Sequence, residues 1–291
     1  MNRIEKLFTE KKKNILSIYF TAGYPALNDT LTIIKELSNA GADMIEVGMP
    51  FSDPVADGPL IQRSSEIALG NGMTLNLLFK QLAKVRLVTE IPLVLMGYIN
   101  PFFRFGMENF IEKCFETGID GTIIPDLPVE EYLNSYKSEY EKKNLLNIFM
   151  VSPQTPVERI LYLDSISKGF LYLVSTSSTT GIKKGFDNSQ TAYFEKVRDL
   201  ILKTPALIGF GISDKSTFEQ ACDFSNGAII GSAFVKSLDE KGNLPENIKR
   251  FIRPSLIFSL HPILWICVLL LRSFARTGRL NWSEGLTTSQ S

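Results

Sequence analysis

Short runs rich in aliphatic and β-branched residues alternate with longer segments whose apolar positions recur every three or four residues, and the alternation continues through roughly the first 250 residues. Eight runs read as strands: Ile15 to Phe20, Asp43 to Val47, Leu93 to Tyr98, Gly121 to Pro125, Asn147 to Val151, Phe170 to Ser175, Ala206 to Phe210 and Ala228 to Gly231. Most are nearly continuous in apolar character, as expected of strands covered on both faces. Strands alternating with helices predict βα units around a parallel sheet, and eight such units predict an α/β fold with a single (β/α)8 TIM barrel.

Helix signals fall between the runs. Asn28 and Asp29 can cap a helix carrying Leu31, Ile34 and Leu37 at helical spacing, which Gly41 ends. Thr74 to Val88 and Val129 to Lys143 repeat the pattern, and Asp214 to Cys222 opens with an Asp cap. The charged start, MNRIEKLFTEKKKN, lacks the apolar core of a secretory signal and reads as a short capping helix followed by an exposed Lys turn. No Pro-rich or Gly/Ser-rich linker interrupts residues 1–252, so they read as one domain. The hydroxyl-rich stretch STSSTTGIKKG, Ser175 to Gly185, directly follows the sixth strand; it reads as a mobile lid or as an ordinary solvated connection, and its place at the carboxyl face of a barrel favours the lid.

Composition narrows the chemistry. A chain of 291 residues with 44% hydrophobic content can bury a large core. Lys plus Arg equals Asp plus Glu at 31 each, so no net field draws it to nucleic acid or anionic lipid. The three cysteines, Cys114, Cys222 and Cys267, are widely spaced and odd in number, which fits a reducing cytoplasm better than a disulfide framework or a zinc site. The single histidine, His261, lies beyond the barrel pattern, so histidine triads and His-ligated metals are not expected and no metal site is assigned. Proton transfer then falls to Glu, Asp, Tyr or Lys.

Two carboxylates stand out in IEVGMPFSDPVADGPLIQ, Ile45 to Gln62. Glu46 lies in an apolar strand, where desolvation raises a carboxyl pKa toward neutrality; a structural ion pair or cap is the competing reading. Asp53 and Asp57 occupy turn sequences in which Asp commonly accepts backbone N–H bonds, so from their setting alone they read as structural. At the far end of the pattern, Gly209-Phe210-Gly211 and Gly231-Ser232 offer backbone N–H groups after consecutive strands, where such barrels hold phosphate. Gly-Phe-Gly fails the dinucleotide fingerprint, and a sugar phosphate is the better match.

The same Ile45–Gln62 stretch closely resembles the signature of the tryptophan synthase α-chain family. FTAGYP at Phe20 to Pro25, MGYINP at Met96 to Pro101, PDLPVEE at Pro125 to Glu131, GFGIS at Gly209 to Ser213 and GSAFVK at Gly231 to Lys236 extend the resemblance in order, from about Ile4 to about Ile252. It implies a lyase that cleaves indole-3-glycerol phosphate to indole and glyceraldehyde 3-phosphate by retro-aldol chemistry in L-tryptophan biosynthesis. Glu46 then matches the catalytic glutamate and Asp57 the aspartate that accepts the indole N–H. Tyr172 would line the pocket, with Ile61, Ile123 and Ile230 as apolar walls. Gly181, Gly211, Gly231 and Ser232 would cradle phosphate, and Thr180 would belong to the lid. The resemblance further implies no cofactor in this chain and a β-subunit partner that carries pyridoxal phosphate in an α2β2-type complex, with Asp53 and the Asn100-Pro101-Phe102 turn near the contact surface. Thr176, Ser178 and Thr179 depart from the Arg, Gly and Val that many relatives carry in the sixth loop, which bears on lid kinetics.

After Ile252 the resemblance stops. Residues 253–291 form an atypical tail in which Leu256 to Leu271 is apolar apart from Ser259, His261 and Pro262, and a basic, polar end follows. The run is shorter than the roughly 18 to 20 residues that span a bilayer, and Pro262 interrupts it, so a tail unrelated to the ancestral frame is a simpler reading than a membrane anchor. No catalytic group is expected from it. Two alternatives stand beside the lyase: a partner-activating module with little turnover of its own, and another sugar-phosphate barrel enzyme.

Overall fold

The computed structural model describes residues 1–54, 57–175 and 185–256, with side chains described through Ile252. The chain divides after Ser255 into two units, Met1–Ser255 and Leu256–Ser291, and the first holds the strands and helices of the barrel.

All strand pairings in this unit are parallel. The strands are β1 (Ile15–Thr21), β2 (Met44–Gly48), β3 (Leu93–Met96), β4 (Gly121–Ile123), β5 (Leu146–Asn147), β6 (Phe149–Val151), β7 (Leu171–Val174), β8 (Ala206–Gly209) and β9 (Gly227–Ile230). Their order in the sheet is β5-β4-β3-β2-β1-β9-β8-β7-β6. The fifth predicted strand is thus broken: β5 pairs with β4, β6 pairs with β7, and Ile148 alone separates them. One strand in two pieces closes the ring, so the sheet is the expected TIM barrel.

Side chains alternate across each strand. Ile15, Met44, Val94, Ile123, Leu146, Ile148, Phe170, Tyr172, Leu207 and Ile229 form one interior cluster. Its amino-terminal mouth is closed by the helix α1 (Arg3–Glu10), whose Ile4 and Phe8 join the cluster. A capping box starts that helix: Asn2 accepts from the backbone of Ile4 and Glu5, and Glu5 accepts in return from the Asn2 backbone. Glycine at 121 leaves room for Ile4, because a Cβ there would come within 2.9 Å of its Cδ1.

Several local expectations are corrected. The helix α2 (Thr30–Ala40) ends at Gly41 in the left-handed conformation as anticipated, but Asp29 makes no side-chain cap and instead accepts from the Ala26 N–H. The segment expected to be helical from Thr74 to Val88 stops at Leu82 and resumes only as a short 3-10 turn, Val85–Leu87. Val129–Glu131, Tyr132–Tyr136 and Lys137–Lys142 are consecutive helical pieces whose middle is a π segment. Asp214 does cap its helix, Lys215–Phe224, by accepting from the Thr217 N–H.

Candidate active site

The carboxyl ends of the strands differ chemically from the sealed amino end. Glu46 sits at the centre of β2, fully buried, opposite Tyr19 on β1 and Val94 on β3. Its Oε1 accepts a 2.9 Å hydrogen bond from Ser17 Oγ, while Oε2 has no hydrogen-bond partner among the described residues. Burial pushes the carboxyl up to about 8 against the opposing pull of Ser17, so the side chain is predominantly protonated at neutral pH.

Asp57 lies in the loop between β2 and the helix α3 (Pro59–Gly70) and is half-buried. Its carbonyl accepts from Gln62 Nε2 at 2.8 Å, which fastens the loop to the first turn of α3. Burial raises its carboxyl to about 6, and a hydrogen bond from the Tyr98 side chain pulls it back. The two carboxylates share a neighbourhood: Tyr19 and Tyr172 are each held above their ordinary pKa chiefly by burial and then by the charges of both Asp57 and Glu46.

Both tyrosines depend on glycine in the adjacent strand. A Cβ at Gly48 would come within 2.2 Å of the Tyr19 hydroxyl oxygen, and one at Gly209 within 2.1 Å of that of Tyr172. The rings therefore lie across neighbouring strands inside the barrel. Phe210 packs edge-on to Tyr172 with centroids 6.1 Å apart.

Beyond Tyr172 the chain makes the turns expected at an anion site. Phe210 and Gly211 both have positive φ, and Ser175 Oγ donates to the Phe210 carbonyl at 2.7 Å. Because β8 and β9 are paired, the Gly211 loop and the Gly231 loop emerge side by side. Gly231 precedes the Ser232–Leu238 helix, which starts without a side-chain cap, and Ser232 is exposed.

The other predicted residues fall as follows. Ile61 is buried on α3, and Ile123 belongs to the interior cluster with Tyr172. Ile230 does not form a wall: its neighbour Ile229 fills the interior and Ile230 pairs with Ile18, so strand alternation turns it toward the helical layer. The Asn100-Pro101-Phe102 segment is not a turn but part of the helix Ile99–Phe105; Phe102 is buried against Phe110, and Phe103 is the exposed ring. Asp53 is exposed. Thr180 and Gly181, with Thr176, Ser178 and Thr179, lie outside the described residues, as does the tail from Arg253 onward in its side chains.

The sequence reading missed Ser17, Tyr19 and Tyr98. A signal for the first two was present, since Ser17, Tyr19 and Thr21 place a hydroxyl at every second position of an otherwise apolar strand. Among the described residues no group of His, Cys, Asp or Glu could hold a metal, and no helix is long and apolar enough to cross a membrane.

A closed parallel barrel with two desolvated carboxyls, flanking tyrosines and paired glycine loops at one mouth defines a barrel enzyme of acid–base chemistry. The model of the tryptophan synthase alpha chain family matches residues 5–253, and the chain belongs to that family. The tryptophan synthase alpha chain of Flavobacterium psychrophilum is 57% identical over 252 residues, covering 87% of this chain and 98% of that one. Among solved structures, the alpha subunit from Legionella pneumophila aligns with TM-score 0.78 at 32% identity over 88% of this chain and 97% of its own. Tryptophan synthase from Mycobacterium tuberculosis aligns with TM-score 0.79 at 27% identity over 88% and 97%. The chain is accordingly a lyase that cleaves indole-3-glycerol phosphate.

Proposed function

We propose that Glu46 carries the protons of this reaction and that Asp57 stabilises the charge that develops on the indole. The retro-aldol cleavage needs two proton movements: carbon-3 of the ring must gain a proton to become a leaving centre, and the hydroxyl on the adjacent glycerol carbon must lose one as the carbon–carbon bond breaks. Glu46 begins protonated, donates to carbon-3, and as a carboxylate then accepts the hydroxyl proton, releasing indole and glyceraldehyde 3-phosphate. The acid is regenerated within each turnover.

Asp57 as carboxylate accepts the indole N–H and offsets the positive charge on the protonated ring. Tyr172 borders the reacting centre. Ile61 and Ile123 contribute apolar surface, and the N–H groups around Gly211, Gly231 and Ser232 hold the phosphate; family membership is the support for a part of Thr180 and Gly181, which lie outside the described residues. Family membership further supports docking on a β subunit, which holds the pyridoxal phosphate of the complex, with no cofactor in this chain. The exposed Asp53, Asn100 and Phe103 lie in segments suited to that contact. A cytoplasmic location fits the free, buried Cys114 and Cys222.

The observation that carries the reading is the unpartnered Oε2 of a fully buried carboxyl. Indole and glyceraldehyde 3-phosphate release from indole-3-glycerol phosphate, followed with and without β subunit, tests it. Wild type should turn over and Glu46→Gln should not; equal rates for the two would end the mechanism.

A further inference from the structure

Among the described residues Ser17 is the one whose side chain hydrogen-bonds the Glu46 carboxyl, and it arrives from a different strand. On β1 it pairs with Met44, two positions before Glu46 on β2, so its inward hydroxyl lies one layer below the carboxyl and reaches up to Oε1 at 2.9 Å. It is itself fully buried. We propose that Ser17 is a positioning residue for the lyase reaction: by donating to Oε1 it fixes the carboxyl rotamer and leaves Oε2 as the oxygen that carries and transfers the proton. The proposal rests on Glu46 being the proton carrier.

Proton counting supports the assignment. The Ser17 hydroxyl has one hydrogen; when it is spent on Oε1, Oε1 is an acceptor and the proton of the neutral acid resides on Oε2. Oε2 has no hydrogen-bond partner among the described residues, so the proton is not committed to the protein. Without Ser17 neither carboxyl oxygen has a hydrogen-bond partner among the described residues to tell one from the other.

The same bond also favours the ionised form, in which Glu46 must accept the second proton. The other titratable groups in this neighbourhood are Tyr19 on β1, Asp57 after β2, Tyr98 after β3 and Tyr172 on β7. Neither Tyr19 nor Tyr172 donates to Glu46 among the described hydrogen bonds, so Ser17 supplies the bond that opposes desolvation.

The test is the pH dependence of kcat/KM for indole-3-glycerol phosphate cleavage in wild type, Ser17→Ala, Ser17→Thr and Glu46→Gln, with thermal unfolding measured in parallel. Ser17→Ala should move the alkaline limb up by about one pH unit and lower kcat about 3- to 10-fold with little change in KM. Ser17→Thr, which keeps the hydroxyl, should return the limb toward its wild-type position. A role in packing alone would change the unfolding temperature and leave the limb where it is. If Glu46→Gln abolishes turnover while Ser17→Ala leaves both limb and kcat unchanged, the Ser17 proposal is overturned and the Glu46 mechanism survives. If Glu46→Gln turns over normally, the mechanism itself fails.

Discussion

Asp120 and Glu46 are both buried acids of one barrel, and their surroundings are opposite. Asp120, near the amino ends of the strands, is 4% exposed; it accepts from Arg86 at 2.6 Å, from Arg3 at 3.2 Å and from the Leu93 N–H at 2.9 Å. Glu46, toward the other mouth, has among the described residues a single serine hydroxyl as partner and an orphan oxygen. A buried charge that only holds structure is matched on every side, because a lone one costs several kcal/mol. A buried acid left unmatched is kept neutral by its own desolvation, and on the proposed mechanism the neutral form of Glu46 supplies the proton. The lesson is that pairing, more than burial, separates the structural carboxylate from the chemical one.

The contrast breaks most sharply at Glu46 itself. Glu46→Gln should reduce kcat by about 10²- to 10⁴-fold, the range for loss of a general acid–base group. It should also make the protein more stable. The folded-state pKa of about 8 lies above the ordinary 4.5, so the protonated side chain is tolerated below pH 4.5 and stability declines as pH rises toward 8. Chemical denaturation of the two proteins should therefore coincide near pH 4 and diverge by a few kcal/mol at pH 8, with the variant ahead.

Asp120→Ala should do the reverse. Stranding the Arg86 guanidinium should cost about 3–5 kcal/mol of unfolding free energy, with kcat of the folded protein within about two-fold of wild type. Denaturant melts and turnover at low temperature check both halves. Asp57→Asn keeps an acceptor but removes the charge, and a loss of about 10²-fold in kcat is expected in the same cleavage assay.

The mildest perturbation is pH alone. The proposed mechanism requires Asp57 ionised and Glu46 protonated, so kcat/KM should rise as pH passes about 6 and fall as it passes about 8. Glu46→Gln should lack the alkaline limb in whatever activity remains.

Much of this was legible in the chain. Near-continuous apolar runs marked the strands because both of their faces are covered, and Glu46 was conspicuous because a carboxylate has no inexpensive place in such a run. The glycine loops after β8 and β9 were visible for a similar reason, each interrupting an apolar run at its end. What escaped depends on cross-strand register. Ser17 becomes a partner of Glu46 only when β1 is laid beside β2, and Ile230 loses its place in the interior only when Ile229 is seen to fill it. Phe102 and Phe103 are equally apolar in sequence, and only the helix Ile99–Phe105 decides which is buried and which is exposed. The interruption at Ile148 leaves no mark in an apolar run.

The ionisation of Glu46 can be read directly. Carbon-13 NMR of the glutamate side-chain carboxyls, with Glu46→Gln identifying the resonance by its absence, should show a carboxyl that is protonated at pH 7 and titrates near 8. A Glu46 resonance already ionised at pH 7, with a midpoint near 4.5, would contradict the claim that this barrel keeps an unmatched acid ready to donate.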